Sequence, residues 1–193
     1  MPTRAQWWRH DAEPLGLLVE RWGGPVTQGP VCERVVAESL RCFRAHASAQ
    51  LIRLLDRPVM LLLQDESGAK GRMLLWGLRS DQALVQHKRR AAMGALGRIG
   101  AVLAWPVQSP WWRTSGAWAQ QDSAAASQGI QAASRQLGLL PKSASGSVGD
   151  VDAALYAFQA AQGLRPDGKA NVQTLMLLNR AMAVNEPRLD GER

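Results

Sequence analysis

From Val31 to Phe43 the apolar residues Cys32, Val35, Val36, Leu40 and Phe43 recur at the spacing of one helical face, which predicts a helix over this stretch. A second helical patch, Ala49 to Leu55, carries Leu51, Leu54 and Leu55. It stops before Arg57-Pro58, because the residue preceding proline is pushed out of the α region. The period then changes. Val59 to Gln64 is a short apolar run suited to a buried strand, Asp65 to Gly71 supplies turn residues, and Met73 to Leu78 completes a hairpin. Ser80-Asp81 opens a turn into Ala83 to Gln86, and Gly100 to Trp105 predicts a fourth strand ended by Pro106. A helix pair followed by an antiparallel meander gives an α+β domain over residues 1–113.

Between Thr114 and Ser127 the large aliphatic residues disappear in favour of Ala, Ser, Gln and Gly, so residues 114–128 are expected to form a linker. Helical pattern resumes at Ile130 to Leu140, at Val151 to Gln162 and at about Val172 to Met182, making residues 129–193 a three-helix domain. Asp150 or Asp152 is expected to cap the middle helix, and Gly163 to end it. Arg165-Pro166-Asp167-Gly168 is a turn signature, with Pro fixing φ and Gly free to take a positive one.

Composition changes this picture little, except in charge. The net charge of +7 is uneven: counting along the chain, residues 1–113 hold 16 Lys+Arg against 9 Asp+Glu, and residues 129–193 hold 7 against 6. A basic first domain could meet an anionic polymer, although its basic residues form no unbroken block. No apolar stretch approaches the roughly 18 residues of a membrane span, and the start, MPTRAQWWRHDAEP, lacks the apolar region of a secretory signal. Export, or a tether to the inner membrane, would then depend on sequence or a partner outside this chain. Cys32 and Cys42 offer one candidate disulfide and no metal-site spacing; in one unbroken helix they would stand about 15 Å apart, so a bridge needs the helix to end before Cys42. His10 and His46 lack an acidic partner at readable spacing. The pairs Trp7-Trp8 and Trp111-Trp112 are expected to be core or interface anchors.

The string FQAAQGLRPDGKANVQTLMLLN, Phe158 to Asn179, resembles the repeat of bacterial peptidoglycan-binding domains: FQ, three residues, GL, then DG, then TL and LN. Where that family often carries Gly-Pro after the DG turn, Asn171-Val172 stands here, and Asn is the next-best residue for a left-handed conformation. Phe158, Leu164, Leu175 and Leu178 then form the apolar frame. The resemblance implies peptidoglycan binding, with Gln159, Asp167, Gly168, Asn171 and Thr174 around the turn as the candidate binding residues. Asp167 and Thr174 have an alternative role as capping residues.

Cys32 at a helix start with a hairpin after it has the layout of a papain-like cysteine peptidase, but aligning double-glycine bacteriocin-processing peptidases on Gly77 puts Gly71 at the histidine position and His87 at the acid position. The base is missing. The stretch is more similar to the periplasmic part of general secretion pathway protein A, the ExeA type, which joins a degenerate peptidase-like domain to a wall-binding domain. The residues carrying this are Leu40-Arg41-Cys42, Leu55-Asp56-Arg57-Pro58, Leu74 to Leu78, Trp105-Pro106 and Pro187-Arg188-Leu189. That resemblance implies a non-enzymatic periplasmic protein of a type II secretion system. Its partners would be peptidoglycan and secretion-system envelope proteins, not nucleic acid, with no catalytic residues, no metal and no cofactor. The absence of a GxxxxGK[ST] loop excludes ATP hydrolysis by a P-loop. The alternative is a wall-active cysteine peptidase or amidase carrying a targeting module.

Overall fold

A computed structural model of the chain describes residues 6–24, 31–34, 40–46, 48–65, 67–88, 90–95, 106–113 and 124–189; the side chains at 34, 106–113 and 124–127 lie outside that description. The chain divides into two compact units, one of Met1–Arg113 with Glu186–Arg193, the other of Thr114–Asn185. The first holds α1 (Ala12–Arg21), α2 (Val31–Arg34), β1 (Leu40–His46), α3 (Ala49–Leu55), β2 (Val59–Gln64), β3 (Lys70–Arg79), β4 (Gln82–His87), β5 (Arg90–Ala95) and β6 (Pro106–Arg113). Its strands form one antiparallel sheet in the order β1-β6-β2-β3-β4-β5.

The apolar run of β2 has no polar alternation because the sheet is covered on both faces. Val59, Leu61 and Leu63 point into a core with Ile52 of α3, Met73, Leu75, Leu78 and Val85. Met60 joins the opposite core with Leu15, Leu18, Val19 and Trp22 from α1, Val31, Leu40 and Leu74. A register shift between Leu75 and Gly77 lets Leu78, an even-numbered residue, reach the same face as Met73 and Leu75, as a bulge does. Trp7 and Trp8 diverge to opposite faces, and each is buried, so this pair belongs to the core. Trp111 and Trp112 lie on β6, beyond the described side chains.

The helix expected over Val31 to Phe43 is instead the short α2 followed by β1. Apolar spacing alone does not separate helix from strand over so short a run, and here pairing with β6 takes the β1 backbone. The break brings Cys32 and Cys42 to a Cα separation of 5.6 Å, and they are disulfide-bonded. The predicted strand Gly100 to Trp105 lies outside the described residues. Pro106, expected to end a strand, opens β6, a position where its missing N–H is tolerated.

The tail also departs from expectation, since Glu186–Arg193 belongs to the first unit and not to a domain running to residue 193. Leu189 packs against the core that contains Ile52 and Val59. Glu186 is ion-paired with Arg57, both side chains fully buried. Arg57 also donates Nη1 to the carbonyl of Leu55 at 2.9 Å. Burial pulls the Arg57 pKa below its ordinary value, and the Glu186 carboxylate opposes that shift.

The second unit holds α4 (Ala124–Gln136), α5 (Val148–Ala161) and α6 (Val172–Ala181). The Ala-Ser-rich stretch expected as a linker to residue 128 is helical from Ala124. That helix ends four residues before Leu140, where Gly138 takes φ 69° and Leu139 N–H returns to Ser134 O at 2.8 Å. The cap of α5 is Ser147, not Asp150 or Asp152. Asp150 occupies the third helical position and completes a capping box with Ser147. Gly163 at φ 71° follows the end of α5, and Leu164 N–H bonds back to Gln159 O at 2.9 Å, as its sequence position predicts.

Candidate functional site

The turn between α5 and α6 is organised from within by Gln159. Its amide donates to Asp167 Oδ1 at 2.7 Å, to Lys169 O at 2.9 Å and to Thr174 Oγ1 at 2.9 Å. Its carbonyl oxygen accepts from the N–H groups of Asp167 and Gly168, both at 2.9 Å. Gln159 and Thr174 are wholly buried. These two therefore present no free polar group to a ligand; they hold the loop. Gly168 is buried too, at φ 71°, and a Cβ there would sit 2.9 Å from Asp152 O, so its role is conformational.

Asn171 is exposed and extended, φ −68° and ψ 167°, not left-handed. It caps α6, accepting from Thr174 N–H at 3.0 Å and from Thr174 Oγ1 at 3.1 Å. Asp167 is exposed, and its carboxyl sits below the usual carboxylate range because Lys169 N–H and then the Gln159 amide bond to it. The five sequence-derived residues thus come together in one network, of which Asp167 and Asn171 alone reach the surface.

A concave feature of this unit lies beside that network. A cleft of about 210 Å³ opens between α4 and α5. Ile130, Val151, Leu155 and Ala170 give it apolar walls, while Gln128, Gln131 and Asp152 add polar groups. Val148, 78% exposed, stands on its rim. Two contacts join cleft to turn: Ala170 lines the cleft, and Asp152 O abuts Gly168. The far edge is fixed by Gln131 Nε2 donating to Gly146 O at 2.7 Å. The Asp150 carboxylate gathers Ser145 Oγ, Gly146 N–H and Ser147 N–H, and these bonds, led by Ser145, lower its pKa. The volume falls below the ~300–1,000 Å³ of sites that engulf a drug-sized molecule. Sequence reading missed Gln128, Gln131 and Asp152 because nothing in the pattern marks two surface glutamines and a helix aspartate as neighbours.

In the first unit, Cys32 and His10 line one open cavity, but the Cys32 sulfur is bonded to Cys42, which removes the thiolate a nucleophile needs. At Gly71 a Cβ would lie 2.5 Å from the Trp7 ring, so no side chain fits there. His87, at the aligned acid position, is buried on β4; burial, then the charge of Arg90, lowers its pKa. His10 and His46 are exposed. Among the described residues no group of His, Cys, Asp and Glu is arranged to hold a metal, and no helix is long and apolar enough to cross a membrane.

No protein-family model matches the sequence, and no curated protein matches it. Among solved structures, the chain is similar to a periplasmic domain of the EpsAB fusion protein of the Vibrio vulnificus type II secretion system, with a TM-score of 0.58 at 16% identity. The match covers 96% of this chain and 85% of that one, so the two proteins share a fold across nearly the whole sequence.

Proposed function

We propose that the protein is a non-catalytic, peptidoglycan-binding envelope protein that serves the assembly of a type II secretion system in the periplasm. The observation that carries this reading is the shared fold with a periplasmic secretion-system domain, which extends over both units. The second unit supplies the wall contact: a stem peptide offers amides and carboxylates in an extended shape, and the cleft beside the DG turn offers apolar walls with Gln128, Gln131 and Asp152. The first unit is a degenerate relative of a papain-like peptidase, with its cysteine in a disulfide and a buried glycine where the base would stand. That disulfide fits an oxidising compartment such as the periplasm.

The test is co-sedimentation of the full chain with purified peptidoglycan sacculi, alongside the variants Asp152→Lys and Val148→Asp. The wild type is expected in the pellet and both variants largely in the supernatant, with thermal melts unchanged because both side chains are exposed. A wild-type chain that stays in the supernatant would overturn wall binding. Cleavage of muropeptides that is lost in Cys32→Ala would overturn the non-catalytic assignment.

A further inference from the structure

Part of the basic excess of the first unit lies at one notch beside β3. Trp8 pairs with Arg72 through Trp8 N–H to Arg72 O at 3.2 Å and Arg72 N–H to Trp8 O at 2.9 Å. That bridge lies on the side of β3 that β4 occupies further along, where Leu74 faces Gln86. The Trp8 segment therefore takes over where β4 ends. Between the two lies an open cavity of about 670 Å³, with Arg9 and His10 on one wall and His87, Lys88 and Arg90 on the other. Its one acidic residue is Glu13. Neither Arg9 nor Arg90 has an ion-pair partner among the described residues. The two guanidinium groups repel each other unless an anion joins them.

The second observation is the strand that starts at this cavity. Arg90 opens β5, which among the described residues is the edge of the sheet, paired with β4 on one side. Its exposed residues Ala91, Ala92, Met93 and Ala95 carry no charge, proline or bulk to keep another strand away, although edge strands are commonly guarded in those ways. Small side chains let a second backbone approach, and half-exposed Met93 offers an apolar contact.

We infer that the β5 edge and the basic cavity at its head form a docking site for an extended acidic segment of a partner protein, which adds as a strand to β5 and places carboxylates against Arg9 and Arg90. The guanidinium fork suits a carboxylate, and main-chain pairing along β5 suits an extended peptide of little sequence identity. This inference rests on the first unit alone and does not depend on wall binding by the second.

The test uses the full chain and a fluorescein-labelled, end-blocked decapeptide alternating Glu and Val, with the Gln-Val peptide as its neutral counterpart. Fluorescence anisotropy is expected to show the Glu peptide binding at least ten-fold more tightly, more weakly at high salt, and at least ten-fold more weakly to Arg9→Glu/Arg90→Glu. The milder Arg9→Gln/Arg90→Gln covers a failure of the first variant to fold, and Arg79→Glu, a basic residue outside the cavity, should bind as wild type does. Hydrogen exchange should slow at β5 amides on binding. Equal binding of the two peptides, unchanged binding by the Arg9/Arg90 variants, or no protection of β5 would overturn the proposal. So would full competition by inorganic phosphate or anionic phospholipid vesicles, because the cavity would then read an oxyanion or a membrane and not a strand.

Discussion

Glu186→Ala is the most demanding test of how the first unit is closed. The substitution leaves the Arg57 guanidinium fully buried without the Glu186 carboxylate, its ion-pair partner. Removing one partner of a buried pair costs about 3–5 kcal/mol, because the orphaned charge keeps its desolvation penalty and loses the attraction that offset it. Against a total stability of about 5–15 kcal/mol this is a fifth or more of what holds a typical domain together. At about 4 °C per kcal/mol for a unit of this size, the melting temperature should fall by roughly 12–20 °C. Seven of the eight tryptophans lie before residue 114, so urea unfolding followed by tryptophan fluorescence reports this unit in the full chain. The double replacement Arg57→Met/Glu186→Leu removes both charges and should recover most of the loss, to within about 1–2 kcal/mol of wild type. A loss below about 1 kcal/mol in Glu186→Ala would refute the argument that this pair fastens the tail.

Gln159→Ala should destabilise the second unit by about 2–4 kcal/mol, because the Asp167 and Gly168 N–H groups lose their acceptor; far-UV circular dichroism melts measure it. Gly168→Ala should cost at least about 2 kcal/mol in the same melts, since it combines a positive φ with a methyl group 2.9 Å from Asp152 O. Asp150 and Asp167 have folded pKa values below the unfolded value of about 3.9. Their contribution is therefore complete at neutral pH and lost as pH falls through the folded values. Melts from pH 7 to pH 2 should show a decline below about pH 4 that Asp150→Asn/Asp167→Asn flattens. Reducing the Cys32–Cys42 disulfide, which closes a short loop between residues 10 apart in sequence, should weaken the first unit by about 3 kcal/mol in urea titrations with and without reductant.

Where turn residues bracketed a clean run, the sequence was enough. Ala49–Leu55 and Val59–Gln64 appear with their expected bounds, and the strands around Leu74 and Ala83 differ only at their ends. The segment after Cys32 was misread because its apolar spacing fits a helix while its hydrogen bonds go to a strand some 70 residues later, information that local pattern does not hold. The edge strand Arg90–Ala95 lacks β-branched residues and gave no signal, and α1 carries Pro14 and Gly16, which obscure a helix. At the candidate site, the turn motif named residues that the structure joins in one network, but not the direction each side chain faces. A polar side chain beside a Gly-containing turn can face solvent or fold inward with equal local plausibility, and Gln159 folds inward because five main-chain and side-chain groups are there to meet it.

The return of Glu186–Arg193 to the first unit makes the second unit an insertion, joined to its host at two places and not one. The joints differ in kind. At Arg113 the connection continues covalently from β6, a strand inside the sheet; beyond Asn185 it depends on the buried Glu186 and on Leu189. Mechanical load placed on the inserted unit is thus shared between a covalent strand and a grip that can peel. A protease nick within residues 114–123 would leave two fragments still held by the tail, with the sheet end of the break free and the ion-paired end clamped. A cut within the tail itself would leave the covalent connection that follows Arg113 to carry the attachment.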